Sequence, residues 1–229
     1  MFLACHEIAP RRSILPQAAR TVQARRDLGL PSPAVGGYNG PSQAGTGMLE
    51  LRDTLLPEVK LIAPRRFSDA RGIFCETWSR TAWQAAGIDA DFVQDNQSLS
   101  RAVGTVRGLH FQIPPVAQGK LVRVLRGAIF DVVVDIRRDR PSFGRFATAT
   151  LSGENGLQLY VPAGFAHGFC TLEPDSEVLY KVTAPYSPAQ ERGILWSDPA
   201  LAIPWPVSPA AAILSDKDRV LPPIGALCG

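Results

Sequence analysis

From residue 58 onward the chain is a succession of short apolar segments, each bounded by glycine, proline, asparagine or aspartate. Segments of this kind, rich in valine, isoleucine, phenylalanine and tyrosine, are typical of β-strands joined by turns. The pattern therefore predicts an all-β sandwich, jelly roll or barrel, and not a parallel α/β sheet. One short helix is expected in TAWQAAGI, at 81–88, ending near Gly87. The predicted strands are VKLIAP, TVRGLHFQI, KLVRVLRG, AIFDVVVDIRR, RFATATLS, LQLYVPAGFAHGFCTL and EVLYKVTAPY.

Length and charge narrow the class of protein. With 229 residues, of which 45% are hydrophobic, the chain can bury the core of one large β-domain or of two small ones. The formal net charge of only +3 argues against a protein dedicated to binding nucleic acid. Because no apolar run approaches the roughly 20 residues that a membrane-spanning helix needs, we expect no integral membrane protein.

Residues 1–47 differ in composition from the rest of the chain. They are rich in arginine and poor in acidic residues, and they end in PSPAVGGYNGPSQAGTG, a stretch typical of a linker. Three interpretations stay open: a disordered tail, a targeting peptide, or a start assigned upstream of Met48. We favour the tail or the later start, and we predict an N-terminal extension over 1–47 and one folded domain over 48–229.

Cysteine and histidine usage argues against a metal centre. The four cysteines are scattered and form no Cys-x-x-Cys pair, so we expect reduced thiols in a cytoplasmic protein. The three histidines are His6, His110 and His167. A cupin-type metal site needs several histidines and a carboxylate close together in the sequence, and His110 has no histidine two positions away. We therefore expect a site that works without a metal ion.

The predicted strand AIFDVVVDIRR has two different faces. Because side chains alternate along a strand, one face is fully apolar and the other carries the carboxylates of Asp131 and Asp135. For an isolated strand, the commoner arrangement is an apolar core face and a solvated outer face. The alternative is that the acidic face lines a polar cavity.

The candidate site begins with His110, in TVRGLHFQI. The loop PPVAQG follows, and an antiparallel hairpin that pairs residue 112 with residue 120 would put Lys120 on the same side as His110. An imidazole titrates near pH ~6.5 and can accept a proton at neutral pH. A fixed ammonium can stabilise the oxyanion that forms when the proton leaves a carbon next to a carbonyl. A lone strand histidine is more often structural, so the hypothesis depends on the neighbours of His110.

Two further residues have open roles. His167, in VPAGFAHGF, alternates with Phe165 and Phe169, and a structural or substrate-orienting role competes with direct proton transfer. Tyr180, in EVLYKVT, shares its strand face with two valines. A core tyrosine with a bonded hydroxyl is the usual explanation, but a phenol that points into a cavity could donate a proton.

Longer strings match a known family in the order expected of it. They are DARGIFCET, VRGLHFQ, QGKLVRVLRGAIFDVVVDIR, LQLYVPAGFAHGF, LYKVTAPYSP, ERGILWSDP and LSDKD. From about residue 58 to residue 222, the chain thereby resembles the dTDP-4-dehydrorhamnose 3,5-epimerases. The resemblance implies a double-stranded β-helix, which is a jelly-roll, cupin-like barrel with short peripheral helices. It also implies a cytoplasmic homodimer that acts on a dTDP-sugar, with no metal or organic cofactor.

The implied reaction converts dTDP-4-dehydro-6-deoxy-D-glucose to dTDP-4-dehydro-L-rhamnose, a step of dTDP-L-rhamnose biosynthesis. The C4 ketone acidifies the hydrogens on C3 and C5, a base removes them, and protons return on the opposite face. The resemblance maps the base onto His110, the enolate-stabilising ammonium onto Lys120 and the opposite-face acid onto Tyr180.

The resemblance also implies the groups that surround these three. The carboxylate that pairs with the base maps onto Asp218 of the SDKD string, with Asp216 as a less favoured substitute, and Asp131 would lie beside Lys120. Arginines would hold the two phosphates through forked hydrogen bonds, and Tyr186 would pack on the thymine. The substrate-binding positions are Arg71, Phe74, Glu76, Gln94, Asn96, Arg107, His167, Tyr186 and Glu191, of which the first three tend to come from the neighbouring subunit.

One departure from the family and several alternatives remain. Pro185 stands in TAPYSP where the family often carries the first of two adjacent aromatic residues, which affects the rim of the base-binding site. The alternatives are a related epimerase that acts at one carbon, a ketoisomerase, or a non-catalytic cupin-like module that binds a sugar nucleotide. Tyr180 favours inversion at both carbons, because reprotonation from the far face needs a donor there.

Overall fold

A computed structural model of the chain describes residues 49–228, in which thirteen strands alternate with turns and short helices. The extension predicted over 1–47 lies outside these residues. The strands are β1 (Leu49–Asp53), β2 (Lys60–Pro64), β3 (Arg66–Asp69), β4 (Gly72–Cys75), β5 (Gln94–Ser100), β6 (Val106–Gln112), β7 (Lys120–Arg126), β8 (Ala128–Asp135), β9 (Phe146–Ser152), β10 (Gln158–Val161), β11 (Phe165–Thr171), β12 (Ser176–Val182) and β13 (Glu191–Gly193). The helices are α1 (Arg80–Ala85), α2 (Asp216–Arg219) and a 3-10 helix (Ile224–Cys228).

The strands form two antiparallel sheets and a separate hairpin of β3 and β4. The first sheet has six strands in the order β1-β2-β10-β7-β12-β5, and the second has five in the order β13-β6-β11-β8-β9. Many neighbours within a sheet are distant in sequence, as a jelly roll requires and a simple meander does not. The predicted all-β jelly-roll fold with short peripheral helices is therefore confirmed.

The core lies between the two sheets. Val122 and Val178 of the six-stranded sheet pack with Ile129, Val133 and Phe165 of the five-stranded sheet, and all five are almost fully buried. Burying such side chains stabilises the fold by about 1.5–3 kcal/mol each relative to leaving them exposed. The interior that the sheets enclose is thus apolar over most of its extent, and the polar site occupies the remainder.

The face of β8 that was expected to be solvated is buried. Asp131 and Asp135 have no exposed surface and lie on the side that faces the interior. The opposite, apolar side carries Val132 and Val134, which pack beneath the C-terminal segment that includes Ile224. Because that segment supplies a second apolar layer, the arrangement expected of an isolated strand is wrong for β8, and its acidic face belongs to the interior.

Two glycines allow β6 and β11 to approach closely. Gly108 has a φ of +118°, and a Cβ there would lie 2.7 Å from the Cα of Gly168. A Cβ on Gly168 would in turn lie 2.6 Å from the carbonyl oxygen of Arg107. Only glycine tolerates both the backbone conformation and the contact. At this approach His110 and His167 are register partners, so the two imidazoles lie at the same level of the sheet.

The hairpin predicted between β6 and β7 is wrong. β6 pairs with β11 and β13, whereas β7 pairs with β10 and β12. The loop between them carries the chain from one sheet to the other. Lys120 nevertheless shares a cavity with His110, as predicted, because the two residues face each other across the interior.

The predicted short helix is present as α1. The Ser79 side chain caps its N-terminus by accepting a hydrogen bond from the Ala82 amide, and Trp83 is buried beneath it. Gly87, at a φ of +86°, follows the last turn. No helix within residues 49–228 is long and apolar enough to cross a membrane.

Candidate active site

A cavity of 430 Å³ lies between the two sheets, and both sheets supply its walls. β6 and β11 contribute His110 and His167, while β7 and β12 contribute Lys120 and Tyr180 from the opposite wall. A second cavity of 210 Å³ is also lined by His110, Lys120 and Tyr180. The two cavities therefore meet at the three residues predicted to carry the chemistry.

His110 forms a short hydrogen bond with Asp218. Its Nε2 lies 2.6 Å from Asp218 Oδ1, and Asp218 Oδ2 accepts a hydrogen bond from the Gly108 amide at 3.4 Å. Burial would raise the pKa of Asp218, but the hydrogen bond and charge of His110, together with hydrogen bonds from the Gly108 amide and Ser215, more than offset it, so the pKa lies below its ordinary value. The ionised carboxylate orients the ring and leaves the second ring nitrogen to accept a proton from a substrate.

Helix α2 determines which carboxylate reaches His110. Ser215 caps the helix by accepting a hydrogen bond from the Asp218 amide at 3.1 Å, and Asp218 points inward and is buried. Asp216, the alternative considered from the sequence, is exposed. The structure therefore brings Asp218, and not Asp216, to the imidazole.

Lys120 is buried on the wall opposite His110. Its Nζ donates a hydrogen bond to the backbone carbonyl oxygen of His110 at 3.1 Å. Burial lowers the pKa of Lys120 to about 8, and the charges of Asp131 and Glu191 oppose this effect. A cation that is scarcely hydrated and sits beside the cavity is well placed to stabilise negative charge on a bound molecule.

A second imidazole–carboxylate pair lies on the same wall as the first. His167 Nε2 is 2.6 Å from Asp131 Oδ1, and both side chains are buried. The other oxygen, Asp131 Oδ2, is buried without a hydrogen-bond partner among residues 49–228. Asp131 therefore contacts His167 directly and influences Lys120 through its charge.

Tyr180 lies on β12, across the cavity from the two histidines. It is the register partner of Asn96 on one side and of Val122 on the other. Burial raises the pKa of its hydroxyl, an effect that the nearby charge of Arg107 reduces. The phenol is therefore protonated at neutral pH and can act as a proton donor.

Arg107 lines the cavity and lies against β5. Its Nε donates to Ser100 Oγ at 3.0 Å, and its Nη2 lies 3.4 Å from the Leu99 carbonyl oxygen. Ser98, on the same strand, lines the cavity as well, and its buried hydroxyl has no partner among the described residues. Arg107 is the predicted phosphate-side residue that the structure brings to the site.

The second cavity gathers four more of the predicted residues. Gln94 Nε2 donates to Asn96 Oδ1 at 2.8 Å, and the Tyr186 amide donates to Gln94 Oε1 at 3.1 Å. The Tyr186 hydroxyl donates to Glu191 Oε2 at 2.7 Å, which raises the pKa of Tyr186. Burial would raise the pKa of Glu191, but hydrogen bonds from Lys217 and Tyr186 bring it below its ordinary value.

Lys217 and Ser98 were not among the predicted residues, although both line the main cavity. Lys217 Nζ lies 2.5 Å from Glu191 Oε1 and joins α2 to β13. The sequence contained a signal for each. Lys217 is the lysine of the SDKD string, and Ser98 continues the alternation of Gln94 and Asn96 along β5.

Three predicted residues lie away from both cavities. Arg71 is 90% exposed and pairs with Asp69 at 2.5 Å, and Phe74 is 70% exposed beside Phe67 on the hairpin. Glu76 follows the hairpin and is exposed. Within one chain these residues do not meet His110. In residues 49–228, no three histidine, cysteine, aspartate or glutamate side chains converge to hold a metal ion.

Comparison with known proteins gives a consistent result. A family model described as dTDP-4-dehydrorhamnose 3,5-epimerase matches residues 53–225. The dTDP-4-dehydrorhamnose 3,5-epimerase of Sinorhizobium fredii is 54% identical over 167 residues, which cover 73% of this chain and 85% of that protein.

Solved structures extend the similarity to the fold. The dTDP-4-dehydrorhamnose 3,5-epimerase of Bacillus anthracis, with TDP and PPi bound, is 50% identical with a TM-score of 0.74 and covers 76% of this chain and 99% of that chain. The dTDP-6-deoxy-D-glucose-3,5-epimerase of Legionella pneumophila, in complex with dTDP-4-keto-L-rhamnose, is 42% identical. Its TM-score is also 0.74, with 77% of this chain and 93% of that chain covered.

A related enzyme of narrower activity is also similar. A 3′-monoepimerase of Streptomyces bikiniensis, in complex with dTDP-quinovose, is 33% identical with a TM-score of 0.70 and covers 76% of this chain and 87% of that chain. The jelly-roll fold is therefore shared by enzymes that act at two carbons and at one, and the fold alone does not distinguish them.

Proposed function

The chain belongs to the dTDP-4-dehydrorhamnose 3,5-epimerase family, and we propose from this premise how its own residues perform the reaction. It is an isomerase of dTDP-sugars and acts in dTDP-rhamnose biosynthesis. The substrate is dTDP-4-dehydro-6-deoxy-D-glucose, and both carbons beside its C4 ketone change configuration. The chemistry requires a base, a stabiliser of the enolate and an acid on the opposite face.

His110 acts as the base. The hydrogen bond of 2.6 Å to the ionised Asp218 holds one ring nitrogen protonated, so the other nitrogen can take a proton from carbon. The C–H electron pair then forms the carbon–carbon double bond of an enolate, and the negative charge collects on O4.

Lys120 stabilises that oxyanion. Its ammonium is buried beside the cavity and is held by the His110 carbonyl oxygen, so it needs little reorganisation when charge develops. With a pKa of about 8, most of the lysine is protonated at neutral pH.

Tyr180 returns a proton from the far face. It lies on the sheet opposite His110, and burial keeps its hydroxyl protonated by raising the pKa. A base and an acid on opposite walls produce inversion, whereas a base alone would return the proton to the face from which it came. The position of Tyr180 across the cavity from His110 is the single observation that carries this mechanism.

Most of the predicted substrate-binding residues surround the nucleotide and the sugar. Arg107 takes a phosphate, and Tyr186 packs on the thymine. The polar side chains of Gln94, Asn96 and Glu191 contact the nucleotide or the sugar from the second cavity. Arg71, Phe74 and Glu76 act in the site of a neighbouring subunit, so the working form is a homodimer. The reaction takes place in the cytoplasm.

Hydrogen–deuterium exchange tests this function. The chain is incubated with dTDP-4-dehydro-6-deoxy-D-glucose in heavy water, and the hydrogens on C3 and C5 are followed separately by proton NMR. We expect exchange at both carbons together with formation of the L-rhamno product. Exchange at one carbon alone would identify a monoepimerase like that of Streptomyces bikiniensis. If neither C3 nor C5 exchanges its hydrogen, the protein is a binding module.

A further inference from the structure

Tyr186, which packs on the thymine in the proposed function, stands on an irregular segment of chain. It lies in the connection 183–190 between β12 and β13, which contains only bends and turns. The residue is 54% exposed. An exposed side chain on irregular backbone is held by few packing contacts, so its direction depends on how that backbone is fixed. A ring that first becomes ordered when the nucleotide binds would cost affinity, whereas a ring held in place beforehand would not.

Three glutamine side chains from other parts of the chain hold the backbone around Tyr186. Gln118 Nε2 donates a hydrogen bond to the Ala184 carbonyl oxygen at 2.7 Å, and Gln94 Oε1 accepts one from the Tyr186 amide at 3.1 Å. The third glutamine is Gln112. Backbone groups in an irregular segment need such partners, because no adjacent helix or strand supplies them. All three glutamines line the second cavity, so the segment is attached to the walls of the site itself.

Gln112 makes the most complete of these attachments. It lies at the end of β6 and is only 6% exposed. Its Oε1 accepts a hydrogen bond from the Ser187 amide at 2.7 Å. Its Nε2 donates to the carbonyl oxygens of Pro185 at 3.2 Å and of Val116 at 2.8 Å. One side chain therefore binds the residues on both sides of Tyr186, and both of its amide hydrogens are used in doing so.

We propose that Gln112 is a positioning residue for the nucleotide, assisted by Gln118. It holds the backbone of residues 185–187 so that the ring of Tyr186 already faces the thymine when the nucleotide arrives. This inference rests on the proposed function, in which Tyr186 packs on the base. Because a base gains affinity by stacking on an aromatic ring, Gln112 acts on binding of the nucleotide and not on the proton transfers at the sugar.

The chemistry of the site requires an amide at residue 112. The segment presents an N–H group and a carbonyl oxygen to the same side chain, and glutamine carries an acceptor and a donor at one end. Methionine has a similar length but offers neither strong group. Gln112→Met therefore releases the segment while it keeps most of the packing volume.

The competing explanation is that Gln112 contacts the nucleotide directly, since it lines the same cavity as Tyr186. A direct contact is lost whether or not the tyrosine ring is present. A positioning effect disappears once the ring has been removed. The two explanations therefore differ in whether the effects of the two substitutions are independent.

The test is a double-mutant cycle on the affinity for dTDP, measured by isothermal titration calorimetry. We expect Tyr186→Ala to weaken binding about tenfold, as loss of base stacking does, and Gln112→Met to weaken it at least about threefold. The double variant should bind within about twofold of Tyr186→Ala alone. With dTDP-4-dehydro-6-deoxy-D-glucose, Gln112→Met should raise KM while kcat stays within about threefold of the wild type.

The matched control is Gln84→Met, which removes a glutamine from the exposed surface of α1. Gln84 donates a hydrogen bond to Asp89 at 2.9 Å and lines neither cavity, so this variant should bind dTDP like the wild type. If Gln112→Met does not fold, Gln118→Met provides the same cycle. It removes the hydrogen bond to Ala184 from a half-buried loop position.

Two results would overturn the inference: losses from Gln112→Met and Tyr186→Ala that multiply in the double variant, or an unchanged dTDP affinity in Gln112→Met. A lower kcat with an unchanged KM in Gln112→Met would overturn it as well. If Tyr186→Ala itself binds dTDP as tightly as the wild type, the error lies in the proposed function, because Tyr186 then does not pack on the thymine.

Discussion

The orientation of the His110 ring depends on the carboxylate of Asp218, which α2 supplies from the C-terminal part of the chain. We expect Asp218→Asn to lower turnover by about 10²-fold, because an amide no longer stabilises the imidazolium that forms during proton removal. His110→Ala should lose at least as much. Asp216→Asn is the matched control, since Asp216 is exposed on the same helix, and its turnover should equal that of the wild type. Steady-state kinetics on folded variants would decide, and equal losses in both aspartate variants would contradict the assignment.

Substitution of Tyr180 distinguishes two steps of the reaction: removal of a proton from carbon and its return on the opposite face. In Tyr180→Phe, His110 can still take a proton and give it back to the same face, so exchange with solvent survives better than inversion. We therefore expect product formation to fall by at least ~10²-fold while exchange in heavy water falls less. Parallel NMR assays of exchange and product measure both, and equal losses would argue against a donor role.

Lys120 should determine the alkaline limit of activity. Lys120 stabilises the enolate only while its amine is protonated, and burial lowers the pKa of this amine to about 8. The kcat/KM value should therefore fall as the pH rises through about 8. Lys120→Arg keeps the charge at much higher pH, so the fall should disappear from the range below pH ~10 whatever the absolute rate. If kcat/KM of this variant still falls near pH 8, the fall belongs to a titratable group other than Lys120.

At the level of elements, β5 shows where sequence patterns stop being informative. The strand has the sequence QDNQSLS, and no apolar alternation identifies it, because its inner face carries Gln94, Asn96 and Ser98 toward a polar cleft and not toward the core. The strands that supply the apolar core between the sheets, β7 to β12, lie in segments that were predicted from alternating or continuous apolar residues. A strand that lines a polar binding site carries polar side chains on its inner face, so it lacks the apolar alternation by which a core strand is recognised.

The pairing of strands was the second feature that the sequence did not predict. The sequence indicated that Lys120 and His110 share a cavity, but it suggested a hairpin as the means, whereas β6 and β7 lie in different sheets. Similarly, the acidic face of β8 was recognisable but not its burial. Both outcomes depend on which distant segments cover a strand, and a local pattern does not contain that information.

The end of β8 is expected to contribute strongly to stability. Arg137 donates to both carboxylate oxygens of the fully buried Asp135, at 2.9 and 2.6 Å. Arg137→Met leaves that carboxylate without its cation, and we expect a loss of about 3 kcal/mol in the free energy of unfolding by urea. Arg138→Met, at the exposed neighbouring position, should change stability by no more than about 0.5 kcal/mol.

The same ion pair has a defined pH dependence. Burial would raise the pKa of Asp135, but the hydrogen bonds from Arg137 and Ser142 more than offset it, so the folded pKa lies below the unfolded one. A lowered pKa stabilises the fold above the unfolded pKa, and that contribution is lost as the pH falls. The difference between the wild type and Arg137→Met should therefore shrink below pH ~4. A constant difference would mean that packing of Arg137 against Phe165 dominates.

For the whole molecule, one chain brings together most of the site but not all of it. The catalytic groups come from β6, β7, β12 and α2, which converge in one cleft although Asp218 and His110 are 108 positions apart in sequence. The resemblance to the epimerase family identified these residues, because its strings run through all four elements. Composition and periodicity alone would not have joined them. The hairpin that carries Arg71 and Phe74 stays outside the cleft, which suggests that a second copy of the chain completes it.

Complementation between two inactive variants tests that suggestion. Arg71→Ala lacks the residue that is expected to reach the neighbouring site, and His110→Ala lacks the base of its own site. If the two variants are mixed in equal amounts and exchange subunits, half of the dimers are mixed, and each mixed dimer contains one site with both native residues. About a quarter of all sites then work, so the mixture should reach about 25% of wild-type activity while each variant alone stays low. If Arg71 serves the site of its own chain, no mixed site is intact and activity stays at the level of the separate variants. A mixture of His110→Ala with Asp218→Asn is the control, because both residues belong to one chain's site, as the 2.6 Å hydrogen bond shows, and intact sites cannot form.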